Sequence, residues 1–451
     1  MKTLFSLLSL MLVSVLQAQD SLVTSIELRG MASSGDANNF WFYANQKGRV
    51  DEQTNFYALA ETKYEKALNE DNRFELGGGV LYKDGLYDGA ILDQLYGTYQ
   101  WKIIRADLGL KHRDEKLSGI SSVGGDIIWS NNARALPGVY LQMTEPFKIF
   151  KWFEANATFG HYFLGDDRVV ENAQVHHKSL ELALVFSPGD RLSGSMKHYV
   201  QFGGTSSNPR FGKQPSGFRD FIDVFFGQGS SNSGAFGGEQ VNSLGNGLGS
   251  YELAYDLTRE NFYLRMYHQS LFEDTSGIEL SNFPDGVWGA YLEPENLGFI
   301  DALIYEYVQT VSQSGRFGNA SNGGSFSGGD SYFWNGIYNT GWQYHNRIIG
   351  LPFVIPDRVN PQSKNINDRF YIHHLGAAGT LGKFNFKGKV SYVKNLGTYG
   401  RPYPVTEEAI YSFLELTYPS KFGSFTGLFG VDYSNLSKEN LGIGLNYRYQ
   451  F

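Results

Sequence analysis

The residues best suited to chemistry lie in one stretch, G-G-D-S-Y-F-W-N-G-I-Y-N-T-G-W-Q-Y-H-N-R-I-I-G-L-P-F, from Gly328 to Phe353. Trp334, Tyr338, Trp342 and Tyr344 are interleaved there with Asn335, Asn339, Gln343, Asn346 and Arg347. Aromatic faces beside planar amides and a guanidinium suit a sugar ring, whose C–H face stacks while its hydroxyls take hydrogen bonds. The same aromatics could form a small hydrophobic core, and the two roles are compatible. Other reactive groups offer less. The nine histidines (His112, His161, His176, His177, His198, His268, His345, His373 and His374) are scattered, and none sits in a serine- or aspartate-bearing motif. A hydrolase would need a nucleophile and a base within hydrogen-bond reach. Asp274, Asp285, Asp330 and Glu306 could gather round a cation only if the fold brought them together. The chain has no cysteine, which removes disulfides and thiolate metal sites. No catalytic residue, metal site or cofactor is expected; the chemistry points to binding.

What must position these residues is legible in the last stretch, N-L-G-I-G-L-N-Y-R-Y-Q-F, from Asn440 to Phe451. Leu441, Ile443, Leu445, Tyr447, Tyr449 and Phe451 share one face of an extended strand, and Gly442, Gly444, Asn446, Arg448 and Gln450 share the other. A strand of about 9–11 residues with an apolar outside, a polar inside and an aromatic end fits a transmembrane β-barrel. At the other terminus, Lys2 precedes an apolar run from Leu4 to Leu16, with Ala18 before Gln19, the pattern of a secretory signal peptide over 1–18. No later segment has the roughly 20 consecutive apolar residues of a membrane helix. Composition agrees: 54 glycines, 29 tyrosines and 34 phenylalanines suit a Gly- and aromatic-rich barrel, and the net charge of −8 argues against nucleic acid.

The expected fold class is therefore all-β, a transmembrane antiparallel β-barrel of about 18 strands with long extracellular loops closing the lumen. Strands are expected near 38–47, 54–67, 72–83, 91–100, 103–113, 136–145, 151–164, 177–187, 191–203 and 248–257. The series continues near 261–271, 285–293, 300–313, 370–381, 385–395, 408–418, 424–434 and 439–451. Eighteen is an even number, as a closed bacterial barrel requires. Ser25–Met31 would add one more and break the parity, so 19–37 reads as a short periplasmic lead-in and 38–451 as the barrel. If Phe451 ends in the periplasm, the tight links at 69–71, 101–102, 188–190, 258–260, 382–383 and 419–421 fall on that side. The long connections, near 114–135, 204–247, 272–284, 314–369 and 396–407, then fall outside. Short turns within and long loops without is the barrel rule. Within 204–247, the spacing of Phe218, Phe221, Ile222 and Phe225 fits one face of a short helix. Lumenal charges of both signs read as ladders between neighbouring strands before they read as a selectivity lining.

A series of short motifs carries a resemblance to a known family. They are N-F-W-F-Y-A-N-Q-K-G at 39–48, S-N-N-A-R-A-L-P at 130–137, H-K-S-L at 177–180, Q-F-G-G-T at 201–205 and Gln214-Pro215. L-G-N-G-L-G-S-Y at 244–251, F-E-D-T-S-G at 272–277, Asp285-Gly286, E-Y-V-Q-T at 306–310, the Gly329–Pro352 block and N-L-G-T-Y at 395–399 complete the series. Together they are similar to the Wzi family of outer-membrane capsule-assembly proteins, over nearly the whole mature chain. The resemblance implies an eighteen-stranded barrel, closed by its outer loops, that binds exported capsular polysaccharide and holds it on the cell surface. It departs in one respect: enterobacterial members carry a periplasmic helical bundle, which the roughly 20 residues before Phe40 cannot form.

The expected site is the 329–352 block, with Trp334, Asn335, Tyr338, Trp342 and Arg347, joined by Trp129, Asn131 and Arg134 from 114–135. Expected partners are a capsular or extracellular polysaccharide, outer-membrane lipid and the barrel-assembly machinery, with no nucleic acid. The alternative is a general or sugar-selective porin, against which the long Gly-, Phe- and Trp-rich loops argue. Deleting Phe451 is expected to impair insertion, because it removes the apolar terminus of the lipid-facing row. Heat-modifiable, membrane-embedded protein at parental levels after that deletion would contradict the assignment of the last strand.

Overall fold

The computed structural model describes residues 20–229, 243–273, 275–313, 331–357 and 365–451. The expected signal peptide at 1–18 lies outside the described residues. The first half of the barrel comprises β1 (Asp20–Ser33), β2 (Phe56–Ala67), β3 (Asn72–Lys83), β4 (Gly89–Trp101), β5 (Ile104–Leu110), β6 (Pro137–Met143), β7 (Phe153–Phe163), β8 (Gln174–Ser187) and β9 (Asp190–Phe202). The second half comprises β10 (Asn246–Arg259), β11 (Phe262–Phe272), β12 (Gly286–Pro294), β13 (Ile300–Gln309), β14 (Phe370–Leu381), β15 (Phe384–Gly397), β16 (Pro402–Ser420), β17 (Gly423–Ser434) and β18 (Ser437–Gln450). Each pairs antiparallel with the next. The ring closes where β1 meets β18, from Ser25 opposite Gln450 to Ser33 opposite Gly442. The sheet has nineteen strands among the described residues. The extra one, Phe147–Phe150, pairs only with β7, which leaves eighteen in the ring.

The total of eighteen agrees with the sequence reading, but its membership does not. The segment expected to be a periplasmic lead-in, 19–37, supplies the closing strand β1, which pairs with β2 on its other edge. Its side chains alternate: Leu22, Ile26 and Leu28 face out, while Ser25 and Glu27 are buried inside. The expected first strand at 38–47 is instead part of an inward connection. Phe40, Trp41 and Phe42 are consecutive and all buried, which no strand with one lipid face allows, and Phe40–Tyr43 forms a single helical turn, α1. One strand replaced another, so parity survived the error. The expected long loop at 396–407 is also corrected, because β16 begins at Pro402 and leaves a four-residue turn at 398–401.

Alternation explains the rest. On β18, Ile443 and Leu445 are 63% and 62% exposed to the lipid side, while Asn446 between them and the lumen is 7% exposed. At the short-turn end Trp101, Phe150, Trp152, Phe186, Phe384, Phe422 and Phe451 are exposed, as an interfacial aromatic girdle. Inward charges pair along the wall: Arg191 of β9 reaches Glu154, Glu181 and Asp256 on the strands to either side, and Arg265 of β11 reaches Glu252 and Asp256. These are structural ladders. Leu28→Pro is expected to abolish the heat-modifiable form, since it removes a ladder donor and stiffens the strand that closes the ring. An epitope tag at Asn435 should be reached on intact cells while one at Lys383 should not.

Candidate functional site

Three connections at the long-loop end, 34–55, 111–136 and 331–357, fold into the bore. An apolar row that meets no lipid must meet another apolar surface. The inward faces of the strands supply it near the loop end, where Leu81, Val175 and Ile372 are fully buried. Against them lie Trp41, Phe42, Val123, Ile127, Trp129, Phe333, Trp342, Ile349 and Leu351, in one continuous core. Trp129 contacts Tyr162 at 4.8 Å, Tyr199 at 5.6 Å and Trp342 at 6.0 Å, the last edge-on. Towards the short-turn end the inward residues stay wet, with the side chains of Lys63 and Arg73 46% and 60% exposed. The bore is thus stoppered in its outer half and open as a vestibule below.

Polar anchors fix the stopper to the wall. Glu306 on β13 is fully buried and accepts from Ser121 Oγ at 2.7 Å, Ser122 N–H at 2.6 Å, Ser122 Oγ at 2.6 Å and the Tyr267 hydroxyl. Asp285 accepts from the N–H groups of Ser312 and Gln313 at 2.8 Å each and from Tyr332 at 3.0 Å. Asp126 receives Lys197 Nζ at 2.9 Å and the Ile128 N–H at 3.1 Å. Burial alone would raise the Asp126 carboxyl, but the Lys197, Lys116 and Arg113 cations hold it well below the usual carboxylate range. Glu306 and Asp285 therefore serve backbone and hydroxyl donors, and among the described residues no group of carboxylates and histidines gathers for a metal. Asp274 and Asp330 lie outside the described residues. Close approach depends on glycine at Gly442, where a Cβ would stand 1.9 Å from Asn39 Oδ1 and 3.0 Å from the Phe42 ring.

The expected site residues divide into three groups. Trp342 and Tyr338 belong to the stopper: Trp342 is fully buried and donates its indole N–H to Ile128 O at 2.6 Å, and Tyr338 donates to Gly203 O at 3.1 Å. Asn335 caps a turn, accepting from the N–H groups of Ile337 and Tyr338 at 2.9 and 3.0 Å, and Trp334 beside it is half-buried. Trp129, Asn131 and Arg134 line a cavity of about 130 Å³ beside β5 and β6, where the Arg113 guanidinium lies 3.9 Å over the Trp129 ring. Arg134 also donates to Leu92 O at 3.0 Å.

Arg347 stands apart from these three, in a larger cleft of about 330 Å³ at the loop end. It forks onto Glu52 at 3.0 and 3.2 Å and lies 4.7 Å over the Tyr43 ring. Phe40 is stacked between Phe353 at 4.7 Å and Tyr411 at 4.6 Å, which makes an aromatic floor. Asn132, Asn346 and Asn395 line the same cleft; Asn132 and Asn395 are buried and bonded to Ile348 O and Glu407, while Asn346 is exposed. The sequence reading missed Phe40, Tyr43, Glu52 and Tyr411. The signal that could have found Phe40 and Tyr43 was the run N-F-W-F-Y at 39–43, whose lack of alternation marks it as a non-strand segment.

A closed outer-membrane β-barrel, filled from the outside by its own connections and carrying an aromatic, amide-rimmed cleft, is the class that fold and site define. A family model described as capsule assembly protein Wzi matches residues 38–353, most of the chain. The chain belongs to that family. Among solved structures, the Escherichia coli outer-membrane protein Wzi, involved in group 1 capsule assembly and described as a carbohydrate-binding β-barrel, has a TM-score of 0.58 at 12% identity. That likeness covers 94% of this chain and 84% of the other, and is one of fold. Pseudomonas aeruginosa OpdL and OpdH match at 10% and 9% identity with TM-scores of 0.47 and 0.49, over 96% of this chain and 99% and 98% of theirs. No curated protein matches the chain.

Trp342→Ala is expected to destabilise the stopper by about 3–5 kcal/mol through the cavity it leaves. Denaturant unfolding in detergent measures this; a shift below about 1 kcal/mol would place the ring at a binding surface instead.

Proposed function

We propose that the protein is a surface lectin that binds exported capsular or extracellular polysaccharide in the loop-end cleft and attaches or organises it at the cell surface. The observation that carries this reading is the cleft itself, lined by the stacked rings of Phe353, Phe40 and Tyr411, by Tyr43, by the Arg347–Glu52 pair and by three asparagines. The half-buried Tyr43 and Tyr411 offer ring surface to the C–H face of a pyranose, and the exposed Asn346 offers an amide to its hydroxyls. The packing of the outer half of the bore by described residues supports retention over passage. The carbohydrate binding described for E. coli Wzi is consistent with this reading. The role is binding without turnover, and the barrel reaches the membrane through the insertion machinery that receives its C-terminal strand.

Tyr43→Ala is expected to lower retained polysaccharide about tenfold, an aromatic contact at a hot spot being worth more than about 1 kcal/mol. Quantified surface glycan on cells carrying equal amounts of heat-modifiable protein tests it; parental retention would move the site to the cavity at Trp129. The intact protein in planar bilayers should conduct poorly. High steady conductance would favour a porin.

A further inference from the structure

The helix expected from Phe218, Phe221, Ile222 and Phe225 forms as α2, Phe218–Phe226, capped by Asp220 on the Gly217 N–H at 2.8 Å and ended by Gly227 at φ +67. It does not enter the bore. Its place follows from strand parity. On β8, Leu180, Leu182 and Phe186 face lipid, so His176 and Lys178 share that face. On β9, Met196 faces lipid, so His198 and Phe202 do too. The Phe221 ring lies 5.2 Å from His176 and 6.3 Å from Phe202, and Phe225 lies 5.4 Å from His176, with Lys178 Nζ 5.0 Å over it. Val224 joins Val200, Phe202 and Leu244 in a small core of its own. The helix therefore lies on the outer surface of the barrel.

One stripe of α2 faces the wall and a second faces away. Phe218, Ile222 and Phe226, spaced by four, are 81%, 37% and 66% exposed. Arg219 beside them is exposed, as are Arg210 and Lys213 in the approach to the helix. Height fixes what this second stripe meets. His176 is ten residues along β8 from Phe186 in the aromatic girdle, which at about 3.3 Å per residue and a tilt of about 40° is roughly 25 Å. That is the height at which the apolar band of a barrel gives way to head groups.

We propose that α2 is an interfacial helix that docks this face of the barrel into the outer leaflet. Phe218, Ile222 and Phe226 lie among acyl chains, and Lys213 and Arg219 reach the phosphates of an anionic glycolipid head group. The stripe is continuous with the lipid-facing band below it, and an apolar face flanked by basic residues is the pattern of helices that lie in a membrane interface. The proposal is independent of what occupies the loop-end cleft.

The cysteine-free chain allows single nitroxide labels at Phe226→Cys, at Leu253→Cys as a mid-bilayer reference and at Asn435→Cys as a water reference. The full-length protein is placed in phosphatidylcholine vesicles with and without lipopolysaccharide, and label accessibility to oxygen and to a water-soluble nickel chelate is compared. Label 226 is expected to favour oxygen as label 253 does. Chelate accessibility equal to that of label 435 would put the stripe in water and overturn the proposal. Exclusion of both reagents would show a protein cover and overturn it equally. Lys213→Gln with Arg219→Gln is expected to raise chelate accessibility at 226 at least twofold in lipopolysaccharide vesicles and to leave it unchanged in pure phosphatidylcholine. No change in either would overturn the head-group contact.

Discussion

A chain that crosses a membrane as strands must pair every backbone N–H and C=O, because hydrocarbon offers no substitute partner. The seam between β1 and β18 is where this protein meets that demand. Without Asp20–Ser33, the edges of β2 and β18 would face lipid unpaired. With it, each of the eighteen strands has two neighbours among the described residues. Everything inside the wall presupposes that closure, since the stopper rests on inward faces contributed by strands from both halves of the chain.

Filling the ring raises a second problem. A bore of eighteen strands is wide, and its inward residues would hold water unless something displaced it. The outer half is dried by aromatic and aliphatic side chains from three connections, and buried polar groups of the wall hold those connections in place. Glu306 accepts from the turn at Ser121 and Ser122, His374 Nε2–H donates to Ile120 O at 2.8 Å, and Asp285 accepts from Ser312 N–H at the start of the connection that follows Gln309. Removing one partner from such a group leaves a buried acceptor unmet, which costs more than the bond itself contributes. The motifs that carry the family resemblance include Glu306, Asp285 and Asn39, which meets Gly442. Those motifs specify a plugged barrel at least as much as they specify a ligand.

That distinction governs the reading of the tryptophans. In sequence, Trp342 amid asparagines and glutamines looks like a stacking platform; in the fold its indole is fully buried, and its N–H is used by Ile128 O. The cleft draws its aromatic surface from elsewhere, from α1 and from Tyr411 in the wall. Arg347 is the one expected residue of the 329–352 block that reaches it.

By itself the sequence determined the barrel, its strand positions to within a few residues over most of the chain, and its family. All of these follow from period-two alternation, turn length and motifs read along one strand at a time. It could not decide which of two neighbouring segments, Ser25–Met31 or 38–47, entered the wall, because parity is satisfied by either. The decision lay in pairing: only Asp20–Ser33 offers an alternating row that fits both β2 and β18. Nor could it place the connections. Whether an amphipathic or aromatic segment turns inward or lies on the outer wall depends on the surface left exposed when the ring closes. Residues 34–55 and 331–357 met the dry half of the bore, whereas α2 met the outward faces of β7 to β9. The cleft is a product of that placement, assembled from Phe40 near the start of the barrel and from Arg347 and Tyr411, both more than 300 residues further on.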